Sequence, residues 1–102
     1  MSQDFRHLKK NIIINNKIFK NRIISSPISI NMAKDGFVTS NIVNFFSNLA
    51  KSGVSMVTIG AAAISKQGND TLNGMIIGPD KYLDKLKKLS ASIKKNGSLS
   101  SI

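Results

Sequence analysis

The sequence predicts an α/β chain, an amino-terminal β-hairpin followed by two βα units with parallel strands. Three observations carry this. Two short β-prone runs flank Asn15-Asn16. Two apolar runs, RIIS at 22–25 and VSMVTI at 54–59, each lead into small or polar residues. Each is then followed by a stretch of helical apolar spacing, and strand–helix alternation implies parallel βαβ packing.

Each element follows from local chemistry. Ile12–Ile14 and Lys17–Phe19 pair around Asn15-Asn16, because Asn tolerates the positive φ of a tight hairpin turn. The hairpin is bounded as 11–20. Arg22–Ser25 is rich in β-branched residues and stops before Pro27, which cannot donate to a ladder. Residues 28–38 lack a period and contain Asp35-Gly36, a turn pair. Ile42, Val43, Phe46, Leu49 and Ala50 recur at helical spacing, with Thr39 as N-cap and Gly53 as stop. The helix is predicted over 40–52. Residues 54–59 form a buried strand ending at Gly60-Ala61-Ala62-Ala63. Residues 65–78 read as one long loop. A second helix is predicted over 80–96, with Tyr82, Leu83, Leu86, Leu89 and Ile93 as its apolar face and Asn96-Gly97 as its end. Residues 98–102 read as the start of a third strand, cut short. Residues 22–97 thus make two βα units, within one small domain over 1–102.

Composition narrows the function. The chain has 102 residues, 41% of them hydrophobic, and is of single-domain size. Without cysteine it has no disulfide, thiolate metal site or cysteine nucleophile, which agrees with a reducing cytoplasm. The amino terminus MSQDFRHLKK is polar and lacks an apolar stretch of signal-peptide type. The longest apolar run, near VSMVTIGAAAI, falls short of the ~20 residues a membrane helix needs. The expectation is a soluble, cytoplasmic chain that spans no membrane. A net charge of +10 raises a nucleic-acid partner. The charge is mostly lysine, spread over several segments, and few aromatic residues are free for stacking on bases, so nucleic acid is disfavoured. No histidine dyad, phosphate-cradling glycine loop or metal-ligand spacing stands out, so no catalytic residue and no metal ligand is assigned. Asp70, Asp80 and Asp84 make no convincing carboxylate pair, and Asp80 fits a helix amino terminus.

In parallel βα units the loops after strands carry the chemistry. That places Ser26-Pro27-Ile28-Ser29 and Gly60-Ala61 at the same end of the sheet. Read alone, Pro27 and Ser29 are a strand-ending proline and a turn serine, the commoner origin of such a pair. Ala61 serves tight helix–sheet packing as readily as contact with a ring.

The run IFKNRIISSPISINMAKDGFVTSNIVNFF, followed by AKSGVSMVTIGAAAISKQG, resembles the amino-terminal part of the old yellow enzyme family. The K-N-R-I, S-P and D-G-x-V-T elements stand in the family's order and spacing, and the likeness extends over about 5–97. SINMA at 29–33 resembles the NADH oxidase and dienoyl-CoA reductase-like branch. The resemblance implies a (β/α)8 barrel that binds FMN and moves hydride from NAD(P)H, through the flavin, to an electron-poor acceptor. It implies that Ser26, Pro27, Ile28 and Ser29 run beside the flavin, Ser29 with a hydroxyl near its reactive edge, and that Ala61 packs on it. The hairpin matches the lid under the family's barrel. Departures are Lys9-Lys10-Asn11 for an aromatic-x-proline element, Asn69 where an arginine commonly follows the glycine, Gly60 for an acid in some members, and Asn31 for a substrate-side tyrosine.

A barrel of this class needs about 250 residues. The family's later strands, substrate pair, flavin arginine and phosphate-binding loops lie beyond the matching region. The expectation is an amino-terminal portion of such an enzyme, truncated or split and inactive alone, holding FMN weakly or not at all. Its expected partner is a complementary chain carrying the rest of the barrel, or a second copy. The alternatives are a small basic nucleic-acid-binding module and an inert remnant without a ligand.

Overall fold

The computed structural model describes residues 4–102; Met1–Gln3, part of the polar amino terminus, lie outside the described residues. A four-residue helix, α1 (Arg6–Lys9), precedes the hairpin and was not foreseen; it buries nothing. His7 lies on it, exposed. Strands β1 (Ile12–Ile14) and β2 (Lys17–Phe19) pair antiparallel, Ile13 opposite Ile18. Asn15 and Asn16 take φ of +49° and +66°, the left-handed pair that a two-residue hairpin turn requires.

β3 is shorter than the predicted 22–25 and spans Ile24–Ser25. The reason is local: the Asn21 side chain accepts from the Ile23 amide at 3.0 Å and donates to the Gly53 carbonyl at 2.7 Å. Arg22 is held by the Leu8 carbonyl at 2.8 Å. These bonds spend the strand's first residues on anchoring its entry.

α2 (Ser40–Lys51) starts as its cap predicts. The Thr39 hydroxyl accepts from the Ile42 amide at 3.4 Å and donates to the Met32 carbonyl at 2.7 Å. Gly53, at φ +104°, ends it. β4 (Met56–Thr58) pairs parallel with β3, and β7 (Leu99–Ser101) pairs parallel with β4, giving the order β3-β4-β7. The register places Ile24, Met56 and Leu99 on one face and Ser25, Val57 and Ser100 on the other. The Val57 face is the covered one: Val57, Ile42, Phe46, Leu89 and Ile93 are all essentially inaccessible in one core. Opposite it Ile24 is 48% exposed. The sheet is thus covered by helices on its Val57 face, with Ile24 exposed on the other.

The stretch predicted as one loop over 65–78 contains a strand. β5 (Ala62–Ala63) and β6 (Met75–Ile76) pair parallel. Met75 and Ile76 lie in a mostly polar run that also holds Leu72 and Ile77. Both strand residues are buried, and the Ile76 amide donates to the Gly36 carbonyl at 3.0 Å. The second predicted helix divides into a 3-10 turn over Asp80–Tyr82 and α3 (Leu83–Lys95). Tyr82 is buried on that turn with its ring 4.6 Å from Phe37. Leu89 and Ile93 take the expected core places, but Leu83 is 45% exposed. It lines an apolar trough of about 420 Å³ with Ile59, Ile77, Leu86 and Ile102. No helix among the described residues is long and apolar enough to cross a membrane.

Candidate functional site

Because β3 and β4 run parallel and in register, the segments that leave their carboxyl ends emerge side by side. Ser26–Ile30 leaves β3, and Gly60-Ala61 leaves β4. Their approach is close: a Cβ built on Gly60 would lie 2.6 Å from Pro27 Cβ. Only glycine lets the two segments touch there. The Gly60–Ala61 peptide bond is cis.

Beyond this contact lies a cleft of about 210 Å³. One wall is Ser29 with Ala61, Ala62 and Ala63; the other is the 68–74 segment, through Gly68, Asn69, Asp70, Thr71 and Gly74. The alanine wall carries nothing larger than a methyl group. The Ser29 hydroxyl is near only the Asn31 side-chain oxygen, at 3.5 Å, too long to satisfy it, so it remains able to bond a ligand. Asn31 takes φ +50°, which Asn tolerates.

The 68–74 wall is braced from within. Asn69 donates to the Gly74 carbonyl at 3.1 Å, and the Gly68 amide donates to the Ser65 hydroxyl at 3.1 Å. The Asn73 carbonyl accepts from the Ala33 amide at 2.9 Å, tying this wall to the segment that follows Ser29. A Cβ on Gly74 would collide with the Asn69 and Thr71 side chains.

The structure therefore brings Ser29 and Ala61 into one cleft. Ser26, Pro27 and Ile28 are not on its lining: Pro27 packs on Gly60, and Ser26 and Ile28 are exposed. The residues that sequence reasoning missed are Asn69, Asp70, Thr71 and Gly74. The Asn-Asp-Thr…Gly pattern is a turn signal, and it says nothing of which strand end the turn folds over.

The cleft offers methyl-sized side chains and the Ser29 hydroxyl on one wall, and the polar side chains of Asn69, Asp70 and Thr71 on the other. At about 210 Å³ it is smaller than the ~300–1,000 Å³ of complete small-molecule sites, so it is one part of a site.

The profile of the NADH:flavin oxidoreductase / NADH oxidase family matches residues 7–102. The chain is 30% identical over 95 residues to an NADPH dehydrogenase of Bacillus subtilis, covering 91% of this chain and 28% of that protein. It is 27% identical over 79 residues to a metal reductase of Desulforamulus reducens, covering 76% of this chain and 12% of that protein. Among solved structures it superposes on a 2-naphthoyl-CoA reductase with a TM-score of 0.90 at 25% identity, covering 97% of this chain and 16% of that one. It superposes on the old yellow enzyme of a Pichia species with a TM-score of 0.84 at 23% identity, covering 92% and 25%. The chain spans under a third of the length of each of these relatives.

Proposed function

The chain belongs to the NADH:flavin oxidoreductase / NADH oxidase family, and from that premise we propose that it supplies one wall of an FMN site in a hydride-transferring oxidoreductase. The observation that carries this is the shared cleft of Ser29 and Ala61 at the carboxyl ends of two parallel strands. Its shape suits the edge of an isoalloxazine ring: methyl-sized side chains along one side and a hydroxyl free to bond a ring carbonyl or nitrogen. FMN, when bound, supplies the redox chemistry, taking hydride from NAD(P)H and passing it to an electron-poor acceptor. The chain's residues hold and orient. Ala61–Ala63 keep water off the ring side, Ser29 offers its Oγ to the polar edge, and Ser26–Ile28 pass alongside as backbone.

The phosphate-binding loops of the family lie outside the matched region, so by itself the chain holds FMN weakly or not at all. Its partner on this reading is the remainder of a barrel, whether in the same or in a second polypeptide. The outer edges of β3 and β7 have no strand neighbour among the described residues, and the trough at Ile59, Leu83 and Ile102 lies beside β7. A chain without cysteine is compatible with a reducing cytoplasm.

The test is a chimera in which residues 7–102 replace the matching segment of the Bacillus subtilis NADPH dehydrogenase. The expected product carries FMN and oxidises NADPH. A chimera that folds and elutes as a discrete species yet takes up no FMN would contradict the proposal.

A further inference from the structure

A second concave surface lies away from the flavin cleft, between the 34–40 segment and α3. It is a groove of about 490 Å³ lined by Lys34, Asp35, Phe37, Val38, Thr39 and Lys85. It continues through Val38, Thr39 and Lys85 into a shallower hollow of about 160 Å³ that adds Val43 and Lys88. Its floor is apolar and its rim is basic. All three lysines are exposed, and the one ion pair among the described residues, Asp4 with Arg6, is elsewhere. Asp35 is the single acid on the lining, and Asp84, which shares α3 with Lys85 and Lys88, forms no ion pair with them. The lining carries three lysines against one carboxylate, so the rim is net positive.

We propose that this groove docks an acidic, amphipathic polypeptide segment. Its carboxylates would meet Lys34, Lys85 and Lys88, and its aliphatic side chains would lie on Val38, Val43 and the edge of Phe37. The charge is complementary, and the apolar floor favours a peptide over other polyanions. A nucleic acid would want an aromatic face for stacking. Phe37 offers none, since its ring is tilted against Tyr82 and Lys85 Nζ lies 6.0 Å from its centroid. A bilayer presents a broad surface that cannot enter a concave groove.

The experiment is fluorescence anisotropy of the full chain with a short fluorescein-labelled peptide alternating Glu and Leu. Saturable binding that weakens toward about 0.3 M salt is expected. Replacing Lys34, Lys85 and Lys88 together by Glu should weaken it about tenfold or more, since each rim pair contributes modestly and reversal makes each repulsive. Replacing Lys17, Lys51 and Lys66 together by Glu makes the same change in net charge at exposed positions outside the groove, and should change binding less than about twofold. Circular dichroism confirms that both variants stay folded. Equal weakening by the two triple variants, or no saturable binding by the unmodified chain, overturns the proposal. So does equal dependence on Lys34, Lys85 and Lys88 in binding an RNA duplex or anionic phosphatidylglycerol vesicles.

Discussion

Gly60→Ala is the substitution that probes the strand-end contact most sharply. The new Cβ would stand 2.6 Å from Pro27 Cβ and 3.5 Å from Pro27 Cα. Carbon atoms rest at about 3.5–4.0 Å, so roughly 1 Å of separation must be found. Pro27 has no rotamer that turns its Cβ away, and its ring fixes φ, so the adjustment falls on the backbone of both segments. Gly60 is outside the left-handed region, so the cost is steric. Overpacking of this kind costs about 1–3 kcal/mol. Pro27→Gly removes the atom that is struck. The double variant should therefore recover at least ~1 kcal/mol relative to the sum of the single changes. Gly53→Ala is the control: it has open space around it and φ of +104°, so it costs about 1–2 kcal/mol from backbone strain alone and should be additive with Pro27→Gly. The assay is urea unfolding of these variants followed by far-ultraviolet circular dichroism. If Gly60→Ala and Pro27→Gly add within about 0.5 kcal/mol, the close approach of the two strand ends is refuted.

Three further outcomes are expected. Leu89→Ala empties a fully buried position between α3 and the sheet and should cost about 2–5 kcal/mol in the same urea assay. Thr39→Ala removes the α2 cap and the bond to the Met32 carbonyl; about 1–2 kcal/mol should be lost, and Thr39→Ser should restore most of it. Gly36→Ala combines φ of +83° with a Cβ 2.7 Å from Ile76 Cδ1, so it should destabilise more than Gly53→Ala, and hydrogen exchange should accelerate first at the Ile76 amide.

Much of this architecture is written in local signals. Asn15-Asn16 announces its turn because few residues accept two consecutive positive φ values. α2 is legible because its apolar period and its cap coincide at Thr39. Leu83 misled because it continues α3's apolar period yet faces an open trough; periodicity reports which side is apolar, not whether anything covers it. β6 was hidden because two residues, Met75 and Ile76, are too few to show a period. The cleft was half legible. That Ser29 and Ala61 share one end of the sheet follows from parallel strands directing their following loops the same way. The opposite wall at 68–74 depends on the β5–β6 pairing, a non-local event with no local signature. The exposed placement of Ser26 and Ile28 likewise reflects tertiary direction that an S-P motif does not encode.

The central claim is that Ser29 and Ala61 face a flavin. Its most direct test is FMN titration, by visible absorbance and flavin fluorescence, of the chimera carrying residues 7–102, comparing Ala61→Phe with Ile64→Phe. Ile64 is three residues away, 75% exposed and off the cleft lining, so a ring there leaves the cleft open. Ala61→Phe should weaken FMN binding by about tenfold or more, an overpacking cost above ~1.4 kcal/mol. Ile64→Phe should leave affinity and spectrum unchanged. If a folded Ala61→Phe chimera binds FMN with unaltered affinity and spectrum, the flavin does not lie against this wall.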